Sequence, residues 1–111
     1  VFDAAEEKSK GDKKRFAIGV DSNQNWMKPG LILTSMLKRI DVAVFKTCQD
    51  IAEKKFKAGT QRYGLESQGI DYAVDEHNAK ILPEATRTRL EALKKEIISG
   101  KIQVPDYYKK K

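Results

Sequence analysis

Two short apolar runs constrain this chain more than anything else in it: residues 16–20 (FAIGV) and 31–34 (LILT). Neither alternates apolar with polar side chains, which is the pattern of a strand buried on both faces. Strands of that kind belong to parallel sheets covered by helices, and helical patterns lie around both runs. Residues 1–9 (VFDAAEEKS) are Ala- and Glu-rich and end at a Lys-Gly turn, so they read as a helix or the tail of one. The polar loop SNQNWMKPG leaves the first strand and closes at Pro29-Gly30.

Beyond the second run, Ser35 reads as the N-cap of the longest helix, which ends near Phe56 and is stopped by Gly59. Leu37, Ile40, Val44, Cys48 and Ile51 recur at helical spacing and give it one apolar face. Residues 60–65 and 70–74 read as extended segments joined by a Gln68-Gly69 turn, the second alternating as a more exposed strand does. A further helix starts with Pro83 in its first position and stops at Gly100. It carries the stripe Leu90, Leu93 and Ile97 and a Glu91/Lys95 pair. Ile102 and Val104 make a last short strand before Pro105. The expected class is α/β, with a mainly parallel sheet flanked by helices.

Composition then narrows the function classes. The 111 residues are one domain's worth, and 40% hydrophobic with 34% charged residues fits a folded globular chain. Cys48 alone cannot form a disulfide within the chain, and Cys48 with His77 is too few soft ligands for a zinc site. A net charge of +6 invites nucleic acid or an anionic membrane as partner. Half of it, however, is the terminal run Lys109, Lys110 and Lys111. Lys8, Lys10, Lys13, Lys14 and Arg15 cluster about Gly11 in what reads as a turn, and from Phe16 to Tyr108 the signs are mixed. That is the distribution of a solvated surface, and it argues against a nucleic-acid partner.

Asp21 is the most informative single residue. It directly follows a buried apolar strand, and open α/β sheets bind ligands at the carboxyl ends of their strands. An ionised carboxylate only accepts hydrogen bonds, so it suits a pair of sugar hydroxyls; alternatively it starts a turn. Lys38 falls in the first turn of the Ser35 helix, where the helix dipole disfavours a cation. It should emerge at the same sheet edge as Asp21, as a ligand contact, as an ion-pair partner, or simply pointing into water. Trp26 could stack on a flat ligand or pack onto its own domain. His77 reads as a surface loop residue and Cys48 as core. Gly59, Gly64 and Gly69 lack dinucleotide-loop spacing and read as turn and bulge glycines. No nucleophile, acid/base or phosphate-loop set stands out, which favours a binding domain over an enzyme.

FAIGVDSNQN, PGLILTSMLKRIDVAV, GTQRYGLESQGIDYAVDEHN and IISGKIQVP, in that order, resemble the C-terminal part of the basic-membrane-protein family. Its members are substrate-binding lipoproteins of ABC transporters, and the best understood are purine nucleoside receptors. The resemblance runs from Val1 to about Tyr107. It implies a type I periplasmic binding protein, with two Rossmann-like lobes joined by a hinge and closing on ligand between them. Such a protein needs about 300 residues. Residues 1–108 are therefore expected to be an incomplete lobe plus a C-terminal segment, and 109–111 a basic tail. The N-terminal lobe, a Gly-rich ligand loop just before Val1 and the lipid-bearing cysteine would lie outside the chain.

What the resemblance implies for function follows the same line. The parent would be a non-catalytic receptor without cofactor or metal, in the periplasm or at the cell surface. It would be anchored by its N-terminal lipid and deliver its small-molecule ligand to an ABC transporter permease. Asp21 matches the family aspartate that holds the ribose hydroxyls, and Lys38 the lysine after the Thr-Ser dipeptide that also reaches the sugar. The residues that sandwich and read the base would fall mostly outside the chain. Two other readings stay open: another sugar-bearing or small polar ligand, and a basic α/β module binding nucleic acid or protein. A lobe cut in this way has open sheet edges and bare apolar surface, so self-association of the isolated chain is expected.

Overall fold

The computed structural model describes residues 1–9 and 13–106. Gly11, Lys10 and the tail 109–111 lie outside the described residues. The first apolar run extends as β1, Ala17–Asp21. It pairs in parallel with β2, Ile32–Lys38, with a register slip between Ala17 and Ile18. On its other side β2 pairs antiparallel with β3, Ile70–Tyr72, giving the order β1-β2-β3. The α/β class holds, but the sheet is mixed rather than mainly parallel. The chain returns to the carboxyl end of β2, where the Arg39 N–H donates to the Gly69 carbonyl at 2.9 Å. From that end it can only run back alongside β2.

Among the described residues three helices flank the sheet: α1 Phe2–Lys8, α2 Ile40–Ala52 and α3 Glu84–Ile98. Each is tethered by a few polar contacts. Lys28, in the loop after β1, pairs with Asp3 and Glu6 of α1. Lys46 and Thr47 of α2 reach the Ser67 carbonyl and the Tyr63 hydroxyl. From β3, Tyr72 donates to Glu91 at 2.8 Å and Asp71 pairs with Lys94 at 3.0 Å, both on α3. The Glu91 carboxylate is thus held by β3.

Several sequence expectations are corrected. Ser35 does not cap a helix; it is a fully buried residue of β2, because its hydroxyl finds partners inside the sheet corner described below. The strand therefore runs four residues past Thr34, and Leu37 and Lys38 belong to it. The helix ends at Ala52 rather than near Phe56. Lys54, in the left-handed conformation at φ 56°, turns the chain before Gly59 does. Residues 60–65 form no strand. They lead into the turn closed by Gly69 N–H to Gly64 carbonyl and Gln68 N–H to Leu65 carbonyl, with Gln68 at φ 61°. Pro83 stands one position before α3 and Gly100 ends it at φ 77° as expected. Ile102 and Val104 lie beyond any strand among the described residues.

The larger correction concerns burial. Ala17 and Gly19 of β1 face inward with Ile32 of β2, and Ala73 and Leu82 complete a small apolar core. The other face of β1 is bare: Ile18 is 59% and Val20 50% exposed. The apolar face of α2 is bare as well, and Cys48, expected in the core, lies exposed on it. The molecule is 58 Å long with a radius of gyration of 17.4 Å. A compact chain of this length has about 13 Å.

Candidate functional site

β1 and β2 run parallel, so both end on one edge of the sheet, and this edge carries the two charged residues singled out in the sequence. Asp21 is the last residue of β1, in register with Leu37. Lys38, the last residue of β2, extends its ammonium to within 2.6 Å of Asp21 Oδ1. Lys38 therefore reaches this edge from a strand end and not from a helix turn, and it takes up the ion pair that the sequence left open. Both side chains stay more than half exposed. The pair presents acceptor oxygens beside a three-donor ammonium, which together complement a vicinal diol. Next to it, Lys38, Arg39, Ile40, Ala43, Tyr63 and Gly69 line a shallow hollow of about 350 Å³.

The backbone at Asp21 is unusual. Its φ of 76° lies in the left-handed region, which costs an L-residue energy but is tolerated best by Asn and Asp. The conformation swings the chain out of the strand direction and exposes the carboxylate. A conformer of this kind persists where its surroundings impose it.

Those surroundings are a buried polar corner. The Val20 N–H donates to Gln24 Oε1 at 2.9 Å, and the Gln24 N–H donates to Ser35 Oγ at 3.0 Å. The Ser35 hydroxyl donates to Asn25 Oδ1 at 2.8 Å. Asn25 Nδ2 and Asn23 Nδ2 both donate to Asp75 Oδ2, at 3.0 and 2.7 Å. Asp75 Oδ1 accepts the His77 N–H, and the Asp75 N–H donates to Asn78 Oδ1. Asn78 Nδ2 then reaches the carbonyls of Leu33 and Ala73. Asn25, Ser35 and Asn78 are fully buried, and each has partners. Gly19 is required here, because a Cβ at that position would collide with Ser35 Oγ and Gln24 Oε1.

Electrostatics follow from this arrangement. Burial pushes the Asp75 carboxyl up, but the hydrogen bonds donated by Asn23, Asn25 and the N–H groups of His77 and Asn78 outweigh it. The carboxyl is left below the usual range. Beside the ion pair, Arg39 holds Asp41 through a forked contact at 2.8–3.2 Å, which raises the guanidinium and lowers the carboxyl. Away from this edge, burial and then the bond to Glu91 push the Tyr72 phenol up to about 12.

Trp26 sits in a single 3-10 turn, Asn25–Met27, 64% exposed, with its indole N–H on the Asn23 carbonyl at 3.1 Å. His77 contributes its backbone: its carbonyl accepts the Gly30 N–H, and its ring lies 3.6 Å from Glu76. Among the described residues no three metal-ligating side chains come together. The sequence pattern placed Asp21 and Lys38 on one sheet edge, as the structure does, but not the corner behind them. The signal was available as two dense polar strings, DSNQN and DEHN, each following an apolar segment.

Residues 1–107 match the family model described as ABC transporter substrate-binding protein PnrA-like. An uncharacterized lipoprotein of Pyrococcus furiosus is 37% identical over 73 residues, 65% of this chain and 18% of that protein. One from Pyrococcus abyssi is 34% identical over 73 residues, again 18% of its length. Among solved structures, ABC transporter system solute-binding proteins from Aeropyrum pernix K1 match with a TM-score of 0.66 and 29% identity. That match takes in 96% of this chain and 38% of the other. The chain spans under a fifth of the curated relatives and well under half of the solved one.

Proposed function

The chain belongs to the PnrA-like family of ABC transporter substrate-binding proteins, and from that premise we propose that it supplies the sugar-binding edge of a purine nucleoside receptor's cleft. One observation carries the reading. Asp21 and Lys38 leave the carboxyl ends of two parallel strands and meet at 2.6 Å, exposed, with Asp21 held in a left-handed backbone. A carboxylate and an ammonium so placed can accept from, and donate to, the two hydroxyls of a ribose. Their charges balance, which suits a neutral ligand. Residues 1–108 are then the C-terminal portion of a longer protein, whose other lobe and Gly-rich loop supply the contacts to the base. That protein is a lipid-anchored receptor outside the cytoplasm, releasing its ligand unchanged to a permease.

The test is a nucleoside panel on the longer protein. Ligand that binds only the folded state stabilises it by about 2.7 kcal/mol at a hundredfold excess over Kd, visible as a raised Tm. If guanosine, adenosine and inosine all leave Tm unchanged, the nucleoside reading is wrong. A shift with another sugar-bearing ligand would keep the sugar edge and change the ligand.

A further inference from the structure

The Asp21 carboxylate sits on a strained residue, so something must hold it in place, and the polar corner shows what does. On the near side of Asp21, the Val20 N–H is fixed by the Gln24 side chain. On the far side, Asn23 is fixed by Asp75, 52 residues away in sequence. The two restraints are one system. Gln24 is held by Ser35, Ser35 by Asn25, and Asn25 by the same Asp75 oxygen that takes Asn23. Asn25 is further tied to Asn23 by its own N–H. Asp75 is itself anchored to the floor of the sheet through the buried Asn78.

We infer that Asp75 is a positioning residue for the ligand site: its carboxylate fixes the loop after β1 and, through that loop, the place of the Asp21 carboxylate. The inference rests on the ligand role given to Asp21 above. Only a carboxylate can do this work here. Oδ2 accepts two amide donors and Oδ1 a backbone N–H, and an amide in its place would turn a donor toward one of them. The residue acts on the ligand through Asp21, so its loss should weaken the interactions that Asp21 makes and spare the rest.

Asp75→Asn in the longer protein, measured by calorimetry, tests this with adenosine and 2′,3′-dideoxyadenosine. Adenosine affinity is expected to fall about tenfold, the scale of one hydrogen bond to a charged group. The dideoxy compound should lose much less. In an Asp21→Asn background, Asp75→Asn should cost adenosine nothing further. Equal losses for the two ligands, or additive losses in the double variant, would overturn the assignment. Amide exchange without ligand separates this inference from the nucleoside reading. Asp75→Asn should speed exchange at Val20 and Asn25 and leave Ala17, bonded within the sheet, unchanged. Unaltered exchange at Val20 and Asn25 defeats the positioning role whatever the protein binds. Faster exchange in a protein that binds no nucleoside keeps the role and removes the ligand. Should Asp75→Asn fail to fold, Asn23→Ala removes one of the two amide donors to Asp75, together with the side-chain acceptor of the Asn25 N–H. It must give the same ribose-selective loss in smaller measure, or the inference fails.

Discussion

Around Asp75 the molecule buries asparagines; along α2 it exposes isoleucine, valine and phenylalanine. Asn25 and Asn78 are inaccessible, whereas Ile40 is 70% and Phe45 68% exposed. The corner is closed on itself: its donors find acceptors among neighbours in DSNQN, β2 and residues 73–78. A hydrogen-bonded unit of that kind carries its own complement. An apolar face does not, because it is stabilised only by another surface laid against it. The whole chain exposes 8,920 Å², where a compact protein of its mass exposes about 6,200 Å². The polar corner is thus satisfied from within, while much of the apolar surface around it is uncovered among the described residues.

The strongest way to break this contrast is to ask whether the bare surface behaves as bare. The 111-residue chain is expected to self-associate in sedimentation, and Val44→Lys combined with Phe45→Lys should return it toward monomer. A wild-type monomer would mean that the exposed face is harmless as it stands. Next in size is the core. Ile32→Ala removes a side chain 1% exposed and should cost about 2–5 kcal/mol in denaturant unfolding. Phe45→Ala should cost under about 1 kcal/mol in the same measurement, since little of it is buried. Similar costs would erase the distinction.

The site can be probed in the same spirit. Asp21→Asn should cost about 1.5–3 kcal/mol of ribonucleoside affinity in the longer protein, less for the 2′-deoxy form. Unliganded stability should barely move, because Asn tolerates the left-handed backbone. Asp21→Ala should also lose stability, by under about 1 kcal/mol, because alanine keeps the Cβ at positive φ without the short polar side chain that lets Asp and Asn tolerate it. Below that lies the acid response. A carboxyl that is lower in the folded chain contributes fully above its unfolded value of about 3.9. The contribution fades as pH falls through the lower folded value. Exchange protection at Val20 and Asn25 should therefore loosen on acidification before that of α3. Smallest of all, Lys38→Met should change unliganded stability by less than about 1 kcal/mol, the scale of exposed ion pairs. Its effect should appear in ligand affinity alone.

How much of this was legible in the sequence follows the same division. β1, the start of β2, the turn at Gln68, α3 and the placing of Asp21 and Lys38 on one edge were all readable, because each depends on local pattern. Ser35 misled: its type suits an N-cap, and only the distant Asn25 and Gln24 make it a strand residue. The 60–65 segment has strand-like composition but no ladder to join. Burial of both faces of β1 was expected from its unbroken apolar run, but the described residues cover one face only. The polar density of DEHN was visible, but the pairing of Asp75 with Asn23 and Asn25 was not, because those contacts span half the chain.

The Gln24 side chain has a consequence for how the sheet can grow. It takes the Val20 N–H, a group that a strand docking along β1 would otherwise use. Any such strand can lengthen its ladder only short of that point. Among the described residues the outer margin of β1 is therefore open to β-augmentation along its body and one donor short at the tip. A guest strand would forgo that ladder bond beside the carboxylate of Asp21, so the sheet can widen more readily than it can close its own mouth.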